Sequence, residues 1–220
     1  VATSGTFDWL PSVDVLLTDA WERCGKSAEI MNSTIVSSGM RSLQLLLLHW
    51  QNLGPRLWTI ERISFPAVVG QAAYTLPVAT IDVLEVGISI LGQDVPLVGV
   101  GRDEYAVIAD KGIRAQPTQF WVSRSLPTPV ITLYPTPDQA YSVWANRIRQ
   151  PMDVSALAQE PEIPVLWAEA IVAELARRLA QKFAPERLGD LTADAQRTYQ
   201  AARAESRERV PLTVTINMRG

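Results

Sequence analysis

The chain has one histidine, His49, and one cysteine, Cys24. A Ser-His-Asp relay or a histidine zinc site would have to use His49, yet neither a His-Glu-x-x-His nor a paired-histidine spacing occurs. Beside Trp50 on a leucine-rich segment, a lone histidine reads as a packing or polar-edge residue. Cys24 falls on an apolar stripe, where free cysteine behaves as a small hydrophobe. A single cysteine also excludes an internal disulfide and any multi-cysteine zinc site. Gly99-Val100-Gly101 lacks the third glycine of a dinucleotide loop, no long helix follows it, and the Walker lysine pattern is absent. The expectation is no catalytic, cofactor-binding or metal residue, and no cofactor.

Glycan hydrolysis needs only two carboxylates, so Glu160, Glu162, Glu169 and Glu174 are the remaining candidates. Glu162 stands where a helix begins, a position the helix dipole favours for anions. Glu169 and Glu174 are five residues apart, too far round a helix to act together. Solvated helix charge accounts for all four. Seven tryptophans are numerous. Trp21, Trp50 and Trp167 lie on apolar helical stripes, and Trp121 and Trp144 in expected strands, so packing is the first reading. Base stacking would call for interleaved basic residues, whereas Arg124 and Arg147 are offset by Asp138 and Asp153.

The elements that carry these residues fall into three parts. Up to about Trp58 the chain reads as helical. Leu16, Leu17, Ala20, Trp21 and Cys24 follow Asp14, and Gly25 ends that helix. A second helix beginning near Thr34 has Val36, Met40, Leu43, Leu47 and Trp50 on one stripe and stops at Gly54-Pro55. Leu45 to Leu48 are four consecutive leucines, too many for a helix with a solvated outer face. Either this helix is buried on two sides, with Leu45 and Leu48 facing the inserted β part, or its second face meets another subunit and Leu45 and Leu48 are candidates for a ring interface.

From about 59 the period changes to that of strands. Leu84, Val86, Ile88 and Ile90 alternate with polar or small residues, Gly92-Gln93-Asp94 makes a turn, and Val95 to Val100 returns as a hairpin partner. Arg102 to Lys111 reads as one short helix. Phe120–Val122, Val130–Tyr134 and Tyr141–Ile148 read as strands, with Pro135-Thr136-Pro137-Asp138 turning between the last two. From about Glu162 helices return, with stripes Ala168-Val172-Leu175-Leu179-Phe183 and Leu188-Leu191-Ala195-Tyr199-Ala202, the second running to about Arg209. After Pro211, Leu212, Val214, Ile216 and Met218 alternate with Thr213, Thr215 and Asn217. The expected fold class is α+β: a helical bundle formed by both chain ends, an inserted antiparallel β-sandwich or small barrel, and an extended C-terminal arm. The expected divisions are 1–58, 59–160, 161–210 and 211–220.

In their order along residues 12–210, these features resemble the head-to-tail adaptors of tailed phages, the tail tubular protein type included. The matching stretches are Leu43-Gln-Leu-Leu-Leu-Leu-His-Trp-Gln-Asn-Leu-Gly54 with Trp58, Ala73-Tyr-Thr-Leu-Pro77 and Pro117-Thr-Gln-Phe120. Ile131-Thr-Leu-Tyr-Pro-Thr-Pro-Asp138 before Tyr141, and Ile163-Pro-Val-Leu-Trp167 before an Arg/Glu-rich last helix, complete them. The resemblance implies a virion neck or tail protein without enzymatic activity. It implies a homo-oligomeric ring, typically dodecameric, joining the head portal to a downstream tail or nozzle protein, with genomic DNA passing through unread.

Arg203, Arg207 and Arg209, with Leu212, Val214, Ile216 and Met218, are then the candidates for binding portal or a neighbouring subunit. A net charge of −3 fits a wall that DNA slides past rather than a surface that wraps it. No run of about 18 apolar residues occurs, so no membrane span is expected, and residues 1–9 lack the order of a signal peptide. Assembly in the host cytoplasm follows as the expectation. The alternative is a β-rich carbohydrate- or protein-binding module of a tail or surface structure.

Overall fold

The structure, a computed structural model, describes residues 9–53 and 59–206. It falls into two units, Val1–Pro55 with Met152–Gly220, and Arg56–Pro151.

In the first unit, α1 (Val13–Arg23) buries Val13, Leu16, Leu17, Ala20 and Trp21 along one face. Ser12 at its N-cap provides no side-chain cap. The amides of Val13 and Asp14 donate instead to the carbonyls of Gln159 (2.9 Å) and Leu157 (3.0 Å). A remote piece of chain thus pairs donors that the helix cannot pair itself. Gly25, at φ +74°, stands just beyond the last turn. The next helix, α2 (Ser33–Leu53), is capped by Asn32, whose Oδ1 accepts from the amides of Thr34 (3.1 Å) and Ile35 (3.0 Å). Asn32-Ser33-Thr34, which has the spacing of a glycosylation triplet, is thus a helix start.

α4 (Ala168–Phe183) and α5 (Leu188–Glu205) follow the β region. α4 packs against α1, α2 and α5. It buries Ile171, Val172, Leu175 and Leu179 together with Ala168, Ala170, Ala173, Ala176 and Ala180. Small side chains around the helix let three neighbours approach its axis. α1 and α2 also meet closely: a Cβ at Gly39 would overlap the Leu17 side chain. Helices from both chain ends therefore share one core, as their stripes predict.

The second unit contains β1 (Ile60–Pro66), β2 (Ala73–Thr75), β3 (Thr80–Ile90), β4 (Gln93–Pro96), β5 (Val98–Gly99), α3 (Arg102–Ala106), β6 (Arg114–Ala115), β7 (Gln119–Ser123), β8 (Val130–Tyr134), β9 (Thr136–Pro137) and β10 (Ser142–Arg149). Among the described residues they form two four-stranded sheets, ordered β1-β10-β3-β4 and β2-β8-β7-β5, and the small pair β6-β9. The sheets do not close into a barrel. Val86, Ile88, Val143 and Ala145 from one and Tyr74, Phe120, Ile131 and Leu133 from the other form a shared core, the packing of a sandwich.

Several local expectations are corrected. The alternation through Leu84 breaks because β3 bulges against β10: Asn146 pairs with Glu85 but Arg147 with Val83. The extra residue turns Leu84 outward and Val83 onto the core. The return strand after the turn is shorter than Val95–Val100. β4 completes the hairpin, then Val98–Gly99 joins the other sheet, parallel to β7. The helix at 102 ends at Ala106, where Lys111 Nζ donates to the carbonyls of Ala106 (3.2 Å) and Ile108 (3.0 Å). Thr136–Pro137 form β9, parallel to β6, rather than a turn between paired strands. β8 and β10 lie in different sheets, so this stretch carries the chain across the sandwich.

Gly87 is required by a close approach. A Cβ there would overlap the Trp144 indole and lie 2.7 Å from the Val95 carbonyl oxygen. Gly87→Ala should therefore destabilise the protein by about 1–3 kcal/mol, read as a lower urea midpoint at unchanged slope.

Candidate functional site

α2 divides its leucines between two faces. Leu43, Leu46, Leu47 and Trp50 are buried, whereas Leu45 is 61 % and Leu48 39 % exposed. Successive residues turn by about 100°, so Arg41, Leu45 and Leu48 share a face opposite the buried stripe. His49 is exposed beside them.

At the other end of the chain, aromatic rings position the last turn of α5. Trp50, Trp167 and Tyr199 pack pairwise with ring centroids 5.2–5.8 Å apart. The Trp167 indole donates from Nε1 to Ser206 Oγ at 2.8 Å. Arg203 is exposed on this turn. Arg207, Arg209, Leu212, Val214, Ile216 and Met218 lie outside the described residues.

Glu160 is exposed, but most of the other candidate chemical groups are tied into the framework. Glu169 takes two hydrogen bonds from Arg23, at 2.7 and 2.8 Å, which hold its carboxyl below the ordinary range. Burial alone would raise Glu174, but hydrogen bonds and charge from Arg177 and Arg178 outweigh it and the net direction is down. A general acid of glycan hydrolysis needs the opposite displacement. Glu162 accepts from the Met152 amide at 3.1 Å. Cys24 lies under α4 with Sγ 3.3 Å from the Ala176 carbonyl oxygen, and burial pushes its thiol up, away from the reactive thiolate.

One constellation escapes sequence reasoning. Lys182 Nζ donates to Ser38 Oγ (3.0 Å) and Ser42 Oγ (2.9 Å), and Ser42 Oγ donates to the Ser38 carbonyl (2.9 Å). A serine nucleophile directs its hydroxyl hydrogen at a base; here Ser42 directs its hydrogen to the Ser38 carbonyl. The trio fastens the end of α4 to α2. Its spacing of 140 and 144 residues leaves no local sequence signal.

Several aromatic and basic side chains of the β unit are likewise engaged. Trp121 stacks on Tyr105 at 5.0 Å, and the Arg62 guanidinium lies 4.4 Å over Trp144 while pairing with Asp94. Arg124 pairs with Asp82. Arg147, almost wholly buried, reaches Glu61 Oε2 (2.8 Å), Thr80 Oγ1 (2.7 Å) and the carbonyl oxygens of Pro77 and Val78. These side chains are held by partners within the unit. No group of three or more His, Cys, Asp or Glu that could hold a metal ion occurs among the described residues. Among them, no helix is long and apolar enough to cross a membrane.

The fold is that of an α+β protein with part of its leucine surface turned outward. The chain belongs to the SU10 adaptor protein family, whose model matches residues 30–217. It is thus a phage adaptor, a component of the virion neck or tail. No curated protein matches the chain.

The Arg23–Glu169 pair sets a pH dependence. A depressed carboxylate contributes stability above its unfolded value, near 4.5, and loses it as pH falls through the folded value. Glu169→Gln should therefore lower stability at pH 7 by less than about 1 kcal/mol, since the Glu169 side chain is largely exposed. The difference from the parent should shrink as pH drops below 4.5, measured by urea titration across pH.

Proposed function

We propose that this adaptor is a non-enzymatic ring subunit. In this reading a homo-oligomeric, dodecameric ring joins the head portal to the downstream tail or nozzle protein and surrounds the channel through which genomic DNA is ejected. The observation that carries it is the outward face of α2. A helix that already buries one full stripe leaves Leu45 and Leu48 at the surface, where apolar side chains gain from a neighbouring protein surface. A contact between two different patches of successive copies repeats, and closes into a ring when its rotation permits.

Family membership supports placement in the neck. The net charge of −3 favours a lumen that does not grip phosphate. The arginines at the end of α5, Arg203 with Arg207 and Arg209 beyond it, fit an acidic surface on portal. Leu212, Val214, Ile216 and Met218 fit strand addition to portal or to a neighbouring copy. Assembly then takes place in the host cytoplasm.

Leu45→Asp with Leu48→Asp tests this. Both residues are exposed in the single chain, so the variant should fold with stability within about 0.5 kcal/mol per site of the parent. By native mass spectrometry and electron microscopy it should fail to form rings that the parent forms, alone or with portal. A parent that stays monomeric or trimeric with portal present, and retains glycans on a glycan array, would instead favour a binding module.

A further inference from the structure

Edges are where a sheet can still form hydrogen bonds, and the sandwich protects its edges unequally. β4 is four residues long and carries Asp94 and Pro96; β2 has three residues and β5 two. Shortness, charge and proline are the usual means of blunting an edge. β1 carries Glu61 and Arg62 near its start, but it is the longest of the four edge strands and has neither charge nor proline from Ile63 to Phe65. It runs seven residues with its proline only at the last, Pro66, and pairs with β10 in unbroken register from Ile60↔Ile148 to Pro66↔Ser142. No strand among the described residues pairs with its other side. Its core-facing residues, Ile63 and Phe65, reach only half-burial, while Arg62 and Ser64 face outward and are exposed. Beside its end, Ser64, Phe65, Pro66, Ala140, Tyr141 and Ser142 line an open groove of about 350 Å³.

We infer that the bare side of β1 receives residues 212–218 of a second copy of this chain as an added strand. The described chain stops at Ser206, fourteen residues short of Gly220, and the alternating stretch Leu212–Met218 is seven residues long, the length of β1. Its two faces match those of the sheet it would extend. Leu212, Val214, Ile216 and Met218 would continue the apolar face and cover the open flanks of Ile63 and Phe65. Thr213, Thr215 and Asn217 would lie beside Arg62 and Ser64. A one-residue slip would reverse this match, so the pairing has a defined phase. The stretch carries no charge, and proline precedes it at 211, so every residue from 212 to 218 keeps an amide for the ladder. Donor and acceptor are different surfaces, so each copy offers one and accepts one, the head-to-tail arrangement of a ring. The inference rests on the ring proposed above and names the recipient of the C-terminal segment.

Amide hydrogen exchange of residues 60–66, read with native mass spectrometry, tests it on the full-length protein. In the ring, β1 amides should exchange at least about ten-fold more slowly than in Leu212→Asp with Ile216→Asp, and dilution that dissociates the ring should remove the protection. Thr213→Asp, on the solvated side, should keep most of it. Rings with equal exchange at 60–66 in parent and double variant would overturn the strand exchange and leave the ring reading intact. Protection that does not change on dilution would overturn the second copy as donor. A parent that forms no ring and shows fast exchange at 60–66 would overturn both.

Discussion

The structure of the first unit depends on α4 being surrounded. An amphipathic helix with one apolar stripe needs one partner, but α4 buries nine residues around its circumference and packs on α1, α2 and α5. α1 and α2 are made more than a hundred residues before α4. The N-terminal helices consequently have no complete core until the C-terminal ones are present. Each fully buried leucine or isoleucine on these helices contributes about 1.5–3 kcal/mol of transfer free energy, and α4 provides Ile171, Leu175 and Leu179.

Polar contacts set the register of that packing. Arg23 bridges α1 to Glu169 at the start of α4, and Lys182 bridges its end to Ser38 and Ser42 on α2. The carbonyls of Leu157 and Gln159 close the first turn of α1. The side chains that could have done chemistry are the ones doing this fastening, and that is why the carboxylates move toward lower rather than higher proton affinity. In the β unit Arg147 has the same role, holding the carbonyls of Pro77 and Val78 against β10. For a protein whose family places it in a virion neck, ion pairs spent on rigidity and apolar residues left outside are a coherent allocation of side chains.

Repeating local spacings made the helices and most strands legible. The stripes on α1, α2, α4 and α5 recur every three or four residues and required nothing beyond the segment itself. So did Gly25 and the alternation of β3 beyond Glu85. β1 gives a weak local signal because its alternation covers only Arg62-Ile63-Ser64-Phe65, after the adjacent charges Glu61 and Arg62; pairing with β10 defines the rest of the strand. The serine–lysine trio and the Arg62–Trp144–Asp94 stack were invisible for the same reason, being assembled from residues remote in sequence.

The amino-acid sequence by itself determined the secondary-structure periods, because they follow from residue type and local spacing, and it left each end's helices with apolar stripes that need partners. Tertiary structure decided what lies at the surface. It turned Leu84 out through a bulge that exists only against Arg147 and Asn146, moved Val98 and Gly99 to the opposite sheet, and covered Trp144 with Arg62. It also decided that, of the leucines from Leu45 to Leu48, the middle two are buried and the outer two exposed. A helix stripe specifies a direction about its own axis, and only the position of the neighbouring helices says which direction is inside.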